Sequence, residues 1–473
     1  QGRGAPARGR AARPRGAAAM LPWGVLCLLP LASYELLRRK QEQAWLKAVA
    51  AAVAQGAEEA RQRALWDAAK ARQQAEEARQ RAEMAALIAS VIESRKSLGP
   101  EVRENWTAYA ATLRPDMVQV TRGRGVIIIG GRNHHNATNF QVPGRDYVSQ
   151  DAGFTEEAML AIAALHHVGS RLPIELWHDH DPLLLGESGE VAHAALNSIA
   201  DVTLVDFYDF PEGQSVTGFE TLSFAIRYSN FSEVLFIDSD NALLADPSPL
   251  FDLPEYAETG ALFWRDQIFS REMTIEGNYL WQVIGVEERP QHDMESGQML
   301  INRRKHWKPV LLVDYFNRYP DHWFWTFSWG DKDLWQWAWL ALNASFYLSP
   351  RHFEYMYDED EKSHSHTQLH PSDGAALFWH RALLKWRHIR NDQKSRCFYA
   401  SPVIADGRVA SLPQESQRPR TVAAVREIEA LFNELHVRLE ENASLPCLDW
   451  WKVWAEYLHS REPPRLQPTS PGG

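Results

Sequence analysis

The first long block of the chain contains no strand-like run. From Arg38 to about Lys96, Ala, Glu, Gln and Arg dominate, with scattered Leu, Val and Trp and no proline, which predicts one long helix. Ala fills most of its possible seam, so a strong coiled coil is not supported. Met84, Leu87, Ile88, Val91 and Ile92 offer a weak seam for a second copy, as in a homodimer joined through this stem. Gly99-Pro100 ends the helix, and the texture changes. Val126 to Ile129 reads as a buried strand breaking into a tight loop at Gly130-Gly131. Thr155 to His167 is helical, Leu172 to Trp177 and Val202 to Val205 are strands, and Phe219 to Tyr228 is a helix leading to the strand Val234 to Ile237. Leu262 to Trp264 and Gly297 to Ile301 add later strands, and beyond Lys305 the chain turns helical and rich in Trp. Gln414 to Arg420 reads as a polar loop, Thr421 to Glu440 as an amphipathic helix, and Pro463 to Gly473 as a disordered tail. Strands alternating with helices predict an α/β fold with a largely parallel sheet.

Composition changes this picture mainly at the ends. The net charge of -11 argues against a nucleic-acid binder, which needs a basic face for phosphates. Basic residues do cluster at Arg3, Arg8, Arg10, Arg13 and Arg15, ahead of Ala17 to Leu37, which is nearly uncharged. That pattern fits a signal peptide or a membrane anchor, and the lack of a small-residue cleavage site before Arg38-Arg39-Lys40 favours the anchor. The arginines ahead of the span would keep the N-terminus cytoplasmic; were Met20 the true start, the flanking charges would favour the reverse. Sequons at Asn105, Asn136, Asn230, Asn343 and Asn442 point to export. Cys27 falls in the apolar span, leaving Cys397 and Cys447 as either a disulfide or two buried thiols. The expected organisation is a basic tail at 1–16, an anchor at 17–37, a helical stem at 38–98, a catalytic domain at 99–460 with a helical C-terminal part, and a disordered tail at 461–473.

The candidate chemistry lies at the end of the strand before Asp238-Ser239-Asp240. In open α/β sheets, ligands gather beyond the carboxyl ends of buried strands. Two carboxylates at that spacing suit a hard divalent cation, which in turn would hold the diphosphate of a nucleotide-activated donor. Asp-x-Asp is a short pattern, and Asp179/Asp181, Asp331/Asp333 and Asp358/Asp360 also fit it. Asp358 and Asp360 sit in an acidic run that reads as a solvated loop, and Asp331 and Asp333 open a helix, where capping is the default role. Asp179 and Asp181 are the real competitor. His134-His135 and His364-Ser-His366 lack a third ligand at metal-site spacing and read as solvated loop histidines. The Trp cluster from Trp323 to Trp339 suits packing, with acceptor-sugar stacking open to one or two rings.

Four ordered blocks carry a resemblance. Phe231 to Asn241 with Asp246-Pro247, then Glu295-Ser-Gly-Gln-Met-Leu-Ile-Asn302, then Gly330-Asp-Lys-Asp333, and Leu377-Phe-Trp-His-Arg-Ala-Leu-Leu-Lys-Trp386 together resemble the fungal-type Golgi α-mannosyltransferases that add α-1,2 or α-1,3 mannose branches. The resemblance implies a single GT-A (Rossmann-like) domain, GDP-mannose as donor, a glycan or glycoprotein acceptor, Mn²⁺ as cofactor, retention of anomeric configuration, and a single-pass type II Golgi topology with the catalytic domain lumenal. It further implies Asp238, Asp240 and His380 as metal ligands. The donor is expected against Asp238, Ser239, Asp240, Gly130, Gly131, Asp333 and Lys385. Asp331 is expected at donor-sugar hydroxyls and Glu295 at sugar or acceptor, the two catalytic candidates; both double displacement and front-face attack stay open. One departure is that the helix before the Asp-x-Asp strand has no Lys or Arg until Arg227. The alternatives are the same fold with UDP-galactose or UDP-glucose, or a catalytically silent glycan-binding or scaffold relative.

Overall fold

The computed structural model describes residues 31–118, 122–132, 140–142, 145–147, 154–181, 184–216, 218, 220–266, 277–328, 330–357, 363–381, 419–441, 455–456 and 458–460. The chain divides into two units, Gln1–Met84 and Ala85–Gly473. The described part of the first belongs to helix α1 (Leu31–Ser97), whose surface carries ion pairs one turn apart, such as Arg79 with Glu76 and Glu83. The expected long helix is therefore present. No helix among the described residues is long and apolar enough to cross a membrane, and most of the expected anchor lies outside them. All three cysteines, His134, His135, Asp358, Asp360 and Lys385 also lie outside the described residues.

The second unit begins with the end of α1. Its Ile92 packs against the core of the unit, and the Trp323 indole donates to the carbonyl of Arg95 at 3.0 Å. Gly99-Pro100 does stop α1, but a new helix, α2 (Gly99–Thr112), starts at once with Pro100 near its N-terminus, where its missing N–H costs nothing. The Trp106 indole on α2 donates to the carbonyl of Val283.

The elements that follow, in chain order, are β1 (Arg122–Arg132), the small hairpin β2 (Phe140–Val142) and β3 (Arg145–Tyr147), α3 (Phe154–His167), β4 (Ile174–Asp179), α4 (Gly186–Asn197), β5 (Val202–Asp206), α5 (Glu220–Tyr228), β6 (Phe231–Ile237) and β7 (Asn241–Leu243). Then come α6 (Pro254–Thr259), β8 (Ala261–Arg265), α7 (Leu280–Ile284), β9 (Met294–Asn302), α8 (Trp307–Arg318), α9 (Leu334–Ala341), β10 (Tyr347–Leu348), β11 (Glu354–Tyr357), β12 (Ser363–Leu369), β13 (Ala376–His380) and α10 (Pro419–Glu441). Seven strands form one sheet in the order β10-β8-β9-β6-β1-β4-β5. It is mixed: β9 runs antiparallel to both β6 and β8, and the other pairs are parallel. Gly130 and Gly131 do not break β1 into a loop as expected; both stay in the strand, beside an irregularity in its pairing with β4 between Ile129 and Arg132.

Alternation along the strands fills both faces of this sheet. Val126, Ile128, Leu235, Ile237, Leu262, Trp264 and Leu300 join a core with α3, β13 and α10. Ile127, Ile129, Val234, Phe236, Phe263, Met299 and Ile301 join another with α5, α7, α8 and α9. A sheet covered on both sides explains the continuous apolar runs. The Trp cluster is packing: Trp323, Trp325, Trp335, Trp337 and Trp339 are all buried.

A second, antiparallel sheet in the order β11-β12-β13-β7 was not expected from a C-terminal part read as helical. The buried Trp264 of β8 donates its indole N–H to the carbonyl of Leu369 on β12 at 2.9 Å, joining the two sheets. Trp264→Ala should cost about 3–5 kcal/mol through the cavity and the orphaned carbonyl. Urea unfolding checks this, and a loss below 1 kcal/mol would remove Trp264 as a tie between the sheets.

Candidate active site

Asp238, Ser239 and Asp240 form the turn by which the chain leaves the first sheet at β6 and enters the second at β7. The turn is fixed at both ends. The N–H of Asp238 donates to the carbonyl of Gly297 on β9, the N–H of Asn241 to the carbonyl of Asp238, and the N–H of Arg381 to the carbonyl of Asp240, at 2.8, 2.9 and 2.9 Å. The Asn241 side chain, buried, also donates to the carbonyl of Gly297 and to Gln298 Oε1. Arg381, wholly buried, pairs with Glu157 of α3, which ties the strand end that carries His380 to the helix layer.

β13 runs antiparallel between β7 and β12, placing His380 opposite Asn241 on one side and His366 on the other. His380 Nε2 lies 3.3 Å from Asp240 Oδ1, and its Nδ1 lies 3.5 Å from Glu295 Oε1. Asp238, Asp240 and His380 each bring a ligand atom within 4.8 Å of the others, as do Glu295, His366 and His380. Among the described residues these are the two groups able to hold a cation, and neither includes Asp179 or Asp181. Asp179 ends β4 instead, followed by His180 in a left-handed conformation and paired with Asp206 at 2.8 Å.

Gly297 makes the approach of His380 possible. A Cβ there would stand 2.8 Å from His380 Nδ1 and 3.1 Å from Glu295 Oε1, and its own N–H donates to Glu295 Oε1 at 2.8 Å. His366 was read as a solvated loop histidine. It is buried on β12, with Nε2 3.9 Å from Glu295 Oε2 and its ring edge-on to His380 at 4.9 Å. Sequence reasoning missed it because a Ser-His-Ser-His run carries no apolar mark of burial.

The acidic loop after Gly330 also reaches this cluster. Asp333 is the N-cap residue of α9 but makes no side-chain capping bond; its carboxylate lies 3.2 Å from Lys332 Nζ. Lys332 pairs as well with Asp266, just past β8. Asp331 is buried in the same turn, its carbonyl accepting from Leu334 N–H. Neither Asp266 nor Lys332 is marked by its local sequence; each meets its partner across the fold.

The charges settle one another. Burial opposes a proton on His380, but Asp240 and Glu295 outweigh it and hold its pKa well above the usual value. Burial opposes charge on Glu295, and His380, with His366 and Lys332, holds its carboxyl below the usual range. His366 is pushed down to about 4 by burial and then by His380. Burial likewise opposes charge on Lys332, which Asp333, Asp266 and Glu295 raise all the same. Asp266 goes the other way, up to about 8, through burial and the neighbouring Glu295, against the pull of Lys332.

Comparison with known proteins adds ancestry to this geometry. Residues 123–280 and 285–375, more than half of the chain, match the family described as "Mannosyltransferase putative". Similar proteins include the Alpha-1,2-mannosyltransferase MNN22 of Candida albicans, 25% identical over 231 residues, which are 40% of this chain and 39% of that one. MNN23 of the same organism is 25% identical over 286 residues, 50% and 43% of the two chains, and Alpha-1,2-mannosyltransferase MNN5 of Saccharomyces cerevisiae is 25% identical over 203, 31% and 34%. The chain spans about two-fifths of the length of the Candida relatives it matches. Similar solved structures include the glycosyltransferase GlyE of Streptococcus pneumoniae, at 14% identity and a TM-score of 0.31 over 48% of this chain and 45% of that one. The galactosyltransferase LgtC with donor and acceptor sugar analogs is 16% identical, at a TM-score of 0.31 over 49% and 75%. At such scores these structures say nothing further about the site.

Asp266 generates a pH prediction. Its native pKa of about 8 exceeds the ordinary 3.8, so between those values the folded chain holds a proton that the unfolded chain releases, and stability falls as pH rises. From about pH 5 to pH 8, wild type should lose urea stability more steeply than Asp266→Asn. Parallel slopes would show that Asp266 is ionised throughout.

Proposed function

The chain belongs to this mannosyltransferase family, and from that premise we propose that it transfers a hexose from a nucleotide-activated donor to a glycan acceptor on a GT-A fold. Mannose from GDP-mannose is the proposed sugar, with Mn²⁺ bound and the anomeric configuration retained. The observation that carries this reading is the convergence of Asp238, Asp240 and His380 on one point at the junction of two sheets.

The residues present suit the cation. Two carboxylates and an imidazole form a mixed oxygen and nitrogen set that Mn²⁺ accepts, and the 3.3 Å between His380 Nε2 and Asp240 Oδ1 is a separation that neighbouring ligands of one ion can adopt. When bound there, the cation would neutralise charge on the departing diphosphate. The protein's own residues do the rest. Asp238 and Asp240 are held by backbone bonds on both sides, so they need little reorganisation on loading. Ser239, buried between them, lies at the donor with Gly130 and Gly131 at the end of β1 and Asp333 in the acidic loop. Asp331 is assigned to hydroxyls of the donor sugar. Lys332 offsets the negative charge of Asp333, which would otherwise repel the diphosphate.

The setting proposed is the Golgi lumen, with the N-terminal segment as a type II anchor; the exposed sequon residues Asn105 and Asn343 support export. Occupied glycans at both, found by mass spectrometry of protein from a eukaryotic host, are expected, and bare asparagines at both would count against it.

Sugar release from GDP-mannose, UDP-galactose and UDP-glucose tests the enzyme and the donor together. Release with Mn²⁺ should be fastest from GDP-mannose and should fall on the order of 100-fold or more in Asp240→Asn. Preference for a UDP-sugar would overturn the donor. Failure with every donor, together with no Mn²⁺ binding, would leave a silent relative of the family.

A further inference from the structure

We propose that Glu295 is a positioning residue, whose carboxylate accepts the Nδ1–H of His380 and so presents a bare Nε2 to the cation. The inference rests on the reading of Asp238, Asp240 and His380 as ligands. It changes the part expected of Glu295, which was to touch sugar or acceptor.

Three observations carry it. First, the two ring nitrogens of His380 face two different carboxylates, Nε2 towards Asp240 at 3.3 Å and Nδ1 towards Glu295 at 3.5 Å. A neutral imidazole has one proton, so a ring that ligates through Nε2 must carry it on Nδ1, and Glu295 is the acceptor placed there. The 3.5 Å separation is long for a hydrogen bond and suits a contact that tightens on loading. Second, the Glu295 carboxylate is already committed to the cluster. Its Oε1 accepts the N–H of Gly297 at 2.8 Å, while Oε2 lies 3.9 Å from His366 Nε2, and the residue is 6% exposed. Third, the absence of a side chain at residue 297 leaves the gap in which His380 Nδ1 and Glu295 Oε1 meet, since a Cβ would crowd both. Glu295 and Gly297 thus act as one device on β9, with the His366 ring of β12 beside the far oxygen of the carboxylate. Asp240 lies at the other ring nitrogen, Nε2, where the cation would be held.

Mn²⁺ titration followed by electron paramagnetic resonance tests this without any sugar transfer. Glu295→Gln should weaken Mn²⁺ binding about 10–100-fold, the usual cost of losing such a partner, with Glu295→Ala at the upper end. Transfer at saturating Mn²⁺ should return in Glu295→Gln, because the lost function is ligand orientation. Unchanged Mn²⁺ affinity with transfer lost would put Glu295 on the sugar or acceptor and overturn the proposal, leaving the metal reading intact. Mn²⁺ binding that is absent in wild type, or unaffected by Asp240→Asn, would instead sink the metal reading beneath it. Should the Glu295 variants fail to fold, wild type alone suffices. In the Mg²⁺-loaded chain, nitrogen NMR of labelled histidine should find the His380 proton on Nδ1, and a proton on Nε2 would refute the assignment.

Discussion

Everything at the site depends on one turn being shared between two sheets. Asp238 ends the reach of β6 and Asn241 begins β7, so the residues between them are held by the register of a mixed sheet on one side and an antiparallel sheet on the other. The carbonyl of Gly297 receives N–H groups from both ends of the turn. A carboxylate pair on an ordinary loop would have to be ordered by its ligand. Here the ordering is supplied by strand pairing, and the precision of the site is that of the ladder.

The electrostatics follow from that placement. Bringing Asp238, Asp240, Asp266, Glu295 and Asp333 into neighbouring positions would be prohibitive if all were charged and unaccompanied. The fold responds with Lys332 between Asp266 and Asp333, an imidazolium at His380 between Asp240 and Glu295, and a raised pKa at Asp266. His380 is therefore a proton-bearing stand-in for the positive charge that a cation would bring. Loading exchanges one positive partner for another at the same carboxylates.

How much of this was legible depends on whether the signal is local. The run Val234 to Ile237 and its acidic end could be read because a strand buried on both faces must be continuously apolar, and β1, β4, β8 and β9 were found on the same ground. The direction of β9 was not, since an apolar run carries no sign of parallel or antiparallel pairing. The second sheet escaped for another reason: β12 reads Ser-His-Ser-His-Thr-Gln-Leu, polar up to its last residue, and its residues 365–369 are buried where β11 and β13 pair with it on either side. Of the site, Asp238 and Asp240 were visible in their own sequence, whereas His380 became a candidate only through family resemblance. His366, Asp266 and Lys332 owe their surroundings to contacts between residues far apart in the chain, which no window of neighbours records.

That long separation has a consequence for how the protein matures. The carboxylate pair belongs to strands near the middle of the chain, but the histidine that faces it arrives on β13, after the acidic loop and most of the second sheet have been made. A nascent chain released N-terminus first can complete the inner strands of the large sheet well before β13 emerges, and until then β7 lacks the strand it pairs with. Assembly of the ligand set is thus late: His380 and the Arg381 N–H that holds the Asp240 carbonyl join the acidic turn only once β13 has paired with β7.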